Sequence, residues 1–337
     1  MSRESRDRSL REMLDGHGVG ALLLSSPANF AWYTGGADNR VDHGDPVGVA
    51  SVLVTMDDAY VLTNNIEAPR MREEQTPEME VVEHPWHEEP AALLNELTGV
   101  AGMGTDFPSE FGPDLSAEIS PLRYVLDGDA IEDYRRLGAD TAHAVSEAAG
   151  SLSLEMDEFE AAAELSAACL RRGVFVPVLL AASEERLVRY RHPVPHGESL
   201  GRQAMLVACA ERGGLFASVT RMIYFEEPDL QTARRQEACE EVLRRMREEA
   251  TREGRTLAQA FEDCRHFYAE AGFPEGWRDH HQGGMTGYAS REVIATPGTQ
   301  QEIREGQAFA WNPSFEGAKA EETFVLRSDG PEILTRS

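Results

Sequence analysis

Several features are rare or missing in this sequence, which has four cysteines, a single lysine and no long apolar run. The cysteines are scattered without a Cys-x-x-Cys pair, which argues against a zinc knuckle or a disulfide framework and suits a reducing compartment. No apolar segment approaches the roughly 20 residues of a membrane-spanning helix. The N-terminal residues lead into an amphipathic pattern and lack the apolar core of an export signal. These absences together predict a cytoplasmic location.

Positive charge is also scarce, because 59 acidic residues face 32 basic ones and the formal net charge is -27. Such a charge opposes binding to the phosphate backbone of nucleic acids and to anionic lipid. We therefore expect neither nucleic acid nor a membrane as a partner. Nearly all of the positive charge is arginine, and the only lysine, Lys319, lies close to Glu321 in the chain.

The length of 337 residues favours two domains, and a hydrophobic content of 41% suits a globular protein. We expect an N-terminal domain of residues 1–128 and a C-terminal domain of residues 129–337. Strand-like and helical patterns alternate in the first third, which is typical of a small α/β domain. Its predicted elements are helices at 10–17 and 90–97, strands at 21–25, 50–55, 59–62, 78–82 and 100–104, and a turn at 26–29.

From about residue 130 the pattern changes to long helices that flank several strand-like segments. Helices beside a set of antiparallel strands indicate an α+β domain. The predicted helices are 131–149, 156–172, 229–253 and 256–271, and the predicted strands are 205–208, 215–225, 307–311, 323–326 and 332–335.

One stretch, residues 277–323, concentrates side chains that are suited to chemistry. Imidazoles and carboxylates are the usual proton-transfer and metal-binding groups, and glycines beside them let a backbone or a ligand approach closely. The stretch contains His280-His281, three glycines at 283, 284 and 287, Trp311-Asn312-Pro313 and Glu321-Glu322-Thr323. These patterns predict that the histidines face a pocket, although only one of the two can do so if they lie on a strand.

Other side chains are expected to shape that pocket. Tyr288 and Trp311 are predicted to form its walls. Asn312, held in an extended conformation by the following proline, presents an amide to it. An arginine, either Arg221 or Arg191, is expected to bind a substrate carboxylate.

The order of the polar motifs resembles that of a known superfamily. The motifs of the C-terminal domain are Arg191-His192-Pro193, Ser218-Val219-Thr220-Arg221, His280-His281, Trp311-Asn312-Pro313 and Glu321-Glu322-Thr323. Their order resembles the M24 peptidase superfamily of pita-bread proteins, which includes aminopeptidase P, prolidase and creatinase. The opening motifs, Ser26 to Phe30 and Tyr33 to Gly36, resemble the creatinase-type N-terminal domain of the same proteins.

This resemblance covers essentially the whole chain and implies a fold. The expected architecture is an α+β pita-bread domain, with antiparallel sheet flanked by helix pairs. A smaller α/β creatinase-type domain precedes it.

The metallopeptidases of this superfamily hold two metal ions with two Asp, one His and two Glu. By resemblance, these positions fall at Val207 or Ala208, Ser218, His281, Asn312 and Glu321. A dinuclear site needs carboxylates to bridge the ions and to offset their charge. Because three of the carboxylates are replaced by an aliphatic residue, a hydroxyl and a neutral amide, we expect no metal cofactor. The alternative is one or two divalent ions, such as Mn or Zn, in a site rebuilt from Asp279, His280, His281 and Glu292.

Creatinase is the member of the superfamily that works without a metal. Its proton-shuttle histidine matches His192 or, less well, His196, and one of its substrate-orienting carboxylates matches Glu321. The other falls near Thr220, so the substrate does not carry over. The resemblance implies a homodimer.

The sequence therefore predicts a metal-independent hydrolase that cleaves a C–N bond in a small nitrogen-containing substrate. The expected catalytic residues are His192, His281 and Glu321, and the expected substrate-binding residues are Arg221, His280, Tyr288, Trp311, Asn312 and Glu322. One alternative is a metal-dependent Xaa-Pro dipeptidase or aminopeptidase with a remodelled site. Another is a non-catalytic member that binds peptide or protein in the same pocket. An eliminating activity is also open, since a lone histidine base serves either reaction.

Overall fold

A computed structural model describes residues 3–99 and 102–336 of the chain. The chain divides into two compact units, Met1–Tyr124 and Val125–Ser337. Among the described residues, no helix combines the length and the apolar character that crossing a membrane requires.

The N-terminal unit contains one mixed sheet with helices. Its strands are β1 (Ala21–Leu24), β2 (Ala50–Thr55), β3 (Ala59–Asn64), β4 (Glu80–His84) and β5 (Met103–Thr105). Its α-helices are α1 (Arg3–His17), α2 (Pro27–Thr34), α3 (Ala68–Arg70), α4 (Ala91–Thr98) and α5 (Ser116–Ile119). The sheet order is β4-β3-β2-β1-β5, with parallel pairs at both edges and an antiparallel centre. The strands predicted at 50–55 and 59–62 are confirmed and pair with each other as β2 and β3, whereas residues 100 and 101 of the predicted strand 100–104 lie outside the described residues.

The turn predicted at 26–29 is wrong, because this segment begins helix α2. Ser26 is the N-cap of α2, and its side chain accepts from the Asn29 backbone amide. Pro27 occupies the first helical turn, where a missing N–H costs nothing. The buried Asp106 carboxylate accepts from the Ser26 hydroxyl at 2.6 Å and from the Asn29 side-chain amide at 2.9 Å. The polar residues of this motif therefore fix the start of a helix.

The C-terminal unit contains three antiparallel sheets and five α-helices among the residues that the structure describes. Its strands are β6 (Phe175–Ser183), β7 (Gln203–Arg212), β8 (Leu215–Tyr224), β9 (Gly283–Thr286), β10 (Val293–Ile294), β11 (Ala308–Trp311), β12 (Ser314–Phe315), β13 (Ala318–Lys319), β14 (Glu322–Arg327) and β15 (Gly330–Ile333). Its helices are α6 (Gly128–Ser151), α7 (Glu158–Leu170), α8 (Glu184–Arg189), α9 (Leu230–Arg245) and α10 (Leu257–Glu270). The sheets have the orders β6-β7-β8, β10-β9-β11-β14-β15 and β12-β13. The predicted α+β class is confirmed.

The register of β11 against β14 decides which side chains share a face. Trp311 is paired with Glu322, and directly paired residues of antiparallel strands point to the same side. The Trp311 indole donates to the Thr251 hydroxyl at 2.9 Å, and the Glu322 carboxylate forms an ion pair with Arg247. This face of the sheet therefore packs on the segment that follows α9. Side chains one position along, such as that of Glu321, point to the opposite face.

Candidate active site

Three histidines form a compact cluster in the C-terminal unit. Nε2 of His280 lies 2.9 Å from Nε2 of His192, a hydrogen-bond distance that requires one of the two nitrogens to carry a proton. The His280 ring stacks on that of His281, with 4.4 Å between the ring centroids. One ring nitrogen from each histidine lies within 4.8 Å of the other two. Imidazoles at such distances can pass a proton or bind an ion.

Gln282 holds the backbone that carries two of these histidines. Its side-chain nitrogen donates to the His280 carbonyl oxygen at 2.6 Å, and its side-chain oxygen accepts from the Tyr268 hydroxyl of α10 at 2.7 Å. His192 comes from the loop that follows α8. The cluster therefore depends on the tertiary fold, since His192 and His280 are 88 positions apart in the chain.

A buried carboxylate, that of Glu321, binds two cations and a hydroxyl near the histidines. Its Oε1 accepts from Nη2 of Arg291 at 2.9 Å. Its Oε2 accepts from the Thr220 hydroxyl at 3.0 Å and lies 3.5 Å from Nζ of Lys319. Two cations and one carboxylate leave this group with a net positive charge, although the whole chain has a formal charge of -27.

The pKa values of the site respond to burial and to this positive charge. Burial opposes ionisation of Glu321, but Lys319, Arg291 and the Thr220 hydroxyl outweigh it and hold the Glu321 pKa at about 2. Burial, Lys319 and the neighbouring imidazoles lower the pKa of His280 to about 3. Burial and Arg291 lower the pKa of His281 to about 4. At neutral pH the carboxylate is therefore ionised, and these two imidazoles are neutral.

The pKa of His192 is lowered as well. Partial desolvation of its ring is the main cause, and the Lys319 ammonium adds to it. A neutral His192 has a free lone pair and can accept a proton from a substrate or a water molecule.

The lowered pKa of His280 predicts a loss of stability in acid. An unfolded His280 binds a proton near pH 6.5, whereas the folded one resists it until about pH 3. Stability is therefore complete above pH 6.5 and declines as the pH falls through this window. Between pH 8 and 5, we expect the free energy of unfolding of the wild type to drop about 2 kcal/mol more than that of His280→Gln.

Urea titrations at several pH values measure this difference. The exposed His143 of α6 offers a matched control, and His143→Gln should follow the wild-type curve. The groups that face His280 are His192, His281, Lys319 and Glu321, and all remain in the His280→Gln variant. Parallel pH curves for wild type and His280→Gln would contradict the buried neutral imidazole.

Several buried polar atoms in or beside this site have no hydrogen-bond partner within residues 3–99 and 102–336. Among them are Oδ1 of Asn312, Nδ1 of His280 and Nε of Arg291. Asn312 is 2% exposed, and strand alternation directs its side chain away from the face that carries Trp311. Buried polar atoms are rarely left unpaired, and such atoms at a site often mark the place of a ligand.

Several side chains predicted for the site share one region of the C-terminal unit. His192, His280 and His281 form the cluster, and Glu321 acts on all three electrostatically. Trp311 and Glu322 do not join them, because both side chains point to the opposite face of the sheet and bind Thr251 and Arg247 there.

Three further side chains of the predicted site lie outside the group of three histidines. Arg221 follows Thr220 on β8, so strand alternation directs it away from Glu321. Tyr288 is buried in the loop after β9. Arg191 donates to the Phe315 carbonyl oxygen at 3.3 Å.

The histidine group differs from the rebuilt metal site that the sequence suggested. Asp279 is exposed and pairs with Arg191 at 3.4 Å, and the potential ligand group contains His192 instead of Asp279 and Glu292. His196 lies outside the cluster, with its backbone amide bonded to Glu158 at 2.8 Å.

Arg291 was missed by sequence reasoning. It lies between β9 and β10 in a segment without a motif, and only the fold brings it to Glu321. A weak indication of a special role existed for Lys319, because it is the single lysine of an arginine-rich chain.

Comparisons with known proteins agree with this architecture. The sequence profile of metallopeptidase family M24 matches residues 132–328, and that of the creatinase/prolidase N-terminal domain matches residues 6–136. The chain therefore belongs to metallopeptidase family M24, with a creatinase-type N-terminal domain, as the motif order predicted. Its family is one of hydrolases.

Solved structures of similar fold have low sequence identity. A prolidase from Pyrococcus horikoshii matches with a TM-score of 0.84 and 18% identity, over 99% of this chain and 98% of the other. A Xaa-Pro dipeptidase from Bacillus anthracis matches with a TM-score of 0.81 and 17% identity, over 100% and 98%. An X-Pro aminopeptidase from Thermotoga maritima gives 0.80 and 19%, over 98% and 97%. Comparison with curated proteins finds no match.

The side chains at the expected ligand positions do not fit a dinuclear metal centre. Val207 and Asn312 supply no carboxylate, and the Ser218 hydroxyl lies 3.3 Å from the Cys209 sulfur. Both oxygens of the remaining carboxylate, Glu321, already contact cations. A divalent ion there would meet two fixed positive charges with one negative charge to offset them.

Proposed function

We propose that the chain is a hydrolase that cleaves a C–N bond in a small molecule or short peptide without a metal ion. The observation that carries the proposal is the hydrogen bond between Nε2 of His192 and Nε2 of His280. The lowered pKa of His192 supports it, because the His192 imidazole is then neutral at pH 7 and available as a proton acceptor.

In this mechanism His192 is the proton shuttle. It takes a proton from water as the water oxygen bonds to the substrate carbon. The C–N bond then breaks, and His192 returns the proton to the leaving nitrogen. His280 orients the His192 ring through their hydrogen bond, and His281 supports His280 by stacking. Glu321 fixes Arg291 and Lys319 beside the reacting group.

A second candidate is a metal-dependent peptidase with a remodelled site. The observation in its favour is the set of three imidazole nitrogens within 4.8 Å of one another, since three histidines with an open fourth position can bind zinc. The field of Lys319 and Arg291 counts against it. It disfavours a proton on these imidazoles and disfavours a divalent ion more strongly.

An activity screen tests the proposal. The protein is incubated with Xaa-Pro dipeptides, N-acyl amino acids and creatine, and products are followed by proton NMR with and without EDTA. We expect turnover of at least one compound to survive the chelator. His192→Ala should lower kcat by about 10²- to 10⁴-fold, the range for loss of a general acid-base.

The exposed His196, four residues along the same loop, supplies the matched control, and His196→Ala should retain turnover. Activity that EDTA abolishes and Mn or Zn restores would favour the metal-dependent peptidase. No turnover, together with peptides that raise the melting temperature, would favour a binding protein.

A further inference from the structure

A fully buried carboxylate, that of Glu158, lies at the first position of α7. The residue is 0% exposed. Other residues already cap this helix, since the Asp157 side chain accepts from the Glu160 backbone amide and the Glu160 side chain accepts from that of Asp157. Burying a charge is costly, and even a well-paired buried charge often adds little to stability. Helix capping therefore does not account for the buried carboxylate of Glu158.

The Glu158 carboxylate binds the chain on both sides of His192. Its Oε1 accepts from the backbone amide of Ser183, the N-cap residue of α8, at 2.7 Å. Its Oε2 forms an ion pair with Arg186 of α8 and accepts from the backbone amide of His196 at 2.8 Å. Ser183 and Arg186 precede His192 in the chain, and His196 follows it. One side chain thus joins both ends of the segment that carries the proposed proton shuttle.

The segment between these two anchors has little backbone structure of its own. None of the described residues 190–198 belongs to a helix or a strand. Pro193 and Pro195 have no amide hydrogen to donate. Val194 donates to the His192 carbonyl oxygen at 3.0 Å, which closes only a tight turn. Side-chain contacts must therefore hold the His192 imidazole at hydrogen-bond distance from that of His280.

We propose that Glu158 is a positioning residue for His192. Its carboxylate holds the start of α8 and the His196 amide together, and the loop between them then keeps the His192 imidazole against His280. This inference rests on the proposed function, in which His192 moves the proton. Because Glu158 is enclosed by protein, it acts on the reaction only through His192. The consequence of its loss is a lower rate and not weaker substrate binding.

Glu158→Gln tests this role, because an amide of nearly the same shape has one oxygen where the carboxylate has two. If the oxygen faces Ser183, the NH₂ group meets the backbone amide of His196, and in the reverse orientation it meets that of Ser183. Either orientation releases one end of the segment. In the NMR activity assay we expect kcat to fall about 10²-fold with KM nearly unchanged, the scale of a misplaced catalytic group.

The hydrogen bond between the His192 and His280 rings gives a second readout that needs no turnover. The proton between the two Nε2 atoms should produce a downfield ring N–H resonance that is absent from His192→Ala. We expect this resonance in the wild type. It should broaden or disappear in Glu158→Gln at a temperature at which circular dichroism shows both proteins folded, because a shifted His192 ring exchanges its bond for water.

Glu211→Gln is the matched control. Glu211 is a buried glutamate, 1% exposed, that also accepts from a backbone amide, that of Gly214 at 2.7 Å. It lies at the turn between β7 and β8 and does not contact the segment that carries His192. Glu211→Gln should therefore keep the ring N–H resonance and the wild-type kcat.

The double variant Glu158→Gln/Arg186→Met separates positioning from stability. It leaves no cation without its counter-charge, so it should unfold at a higher temperature than Glu158→Gln. The segment still lacks one of its two backbone bonds, so the ring N–H resonance and kcat should stay low. This variant also serves as the test where Glu158→Gln folds poorly.

Three results would overturn the proposal. They are an unchanged resonance or kcat in folded Glu158→Gln, recovery of both in the double variant, and the absence of the resonance from the wild type. The proposed hydrolysis is judged separately, by EDTA-resistant turnover and its loss in His192→Ala. Loss of the resonance in Glu158→Gln, together with no turnover even by the wild type, would support the positioning of His192 and contradict the hydrolase.

Discussion

Replacing Glu321 by glutamine is expected to lower the free energy of unfolding by about 3–5 kcal/mol, the cost of removing one partner of a buried ion pair. The reason is that Arg291 and Lys319 would then lie in the protein interior without a counter-charge. Glutamine is close to isosteric, so a loss of packing contributes little. Urea denaturation followed by circular dichroism measures the change.

The Lys319→Met variant separates charge from packing in this prediction. Alone it should cost less than Glu321→Gln, because Glu321 keeps its bonds to Arg291 and Thr220. In the double variant one unpaired cation remains instead of two, so the double variant should be more stable than Glu321→Gln. A wild-type stability for Glu321→Gln, or purely additive losses in the double variant, would show that the three charges are not coupled.

Replacing Gly283 by alanine is expected to cost about 4 kcal/mol, at the upper end of single substitutions. Gly283 has a φ of +99°, which side chains rarely adopt, and an added Cβ would lie 2.1 Å from the carbonyl oxygen of Ala310. The clash is with backbone of the neighbouring strand β11, so it cannot be relieved by a side-chain rotation. Pairing of β9 with β11 should weaken, and His281 and Asn312 beside it should move.

The Gly283→Ala prediction is checked by thermal unfolding and by the NMR activity assay together. Gly150, near the end of α6, is the control, because an added Cβ there has nothing within 4 Å. Gly150→Ala should match or slightly exceed the wild type in stability, since alanine favours helix. A Gly283→Ala protein with wild-type stability would contradict the close approach of β9 and β11 at this position.

The family and the main secondary-structure elements could be predicted because both produce recognisable patterns in the local sequence. Motif order indicated the M24 fold, and apolar periodicity located α6, α7 and α10 to within three residues, whereas α9 ends eight residues before its predicted boundary. Ser26 and Pro27 were misread as a turn, although the same residues are good helix starters. Strand β9 was missed because its glycines suppress the usual strand pattern.

Which residues form the site was harder to predict, because this depends on the register of paired strands and on contacts between distant parts of the chain. Trp311 and Glu322 belong to motifs that also contain Asn312 and Glu321, but alternate residues of a strand face opposite sides. The pairing of β11 with β14 places the Trp311 and Glu322 side chains on the face that packs against the segment after α9. This pairing is set by the tertiary structure and not by the local sequence. Arg291 carries no motif at all, and its proximity to Ser218 and Glu321 follows from the fold alone.

Equilibrium dialysis against Mn²⁺, Co²⁺ and Zn²⁺, followed by elemental analysis, tests the central claim that this site does not hold divalent metal ions. We expect metal content well below one ion per chain for each metal, in the wild type and in Asn312→Glu, because Arg291 and Lys319 remain in place. Near-stoichiometric metal in the wild type that is lost in Glu321→Gln or His281→Ala would contradict the account.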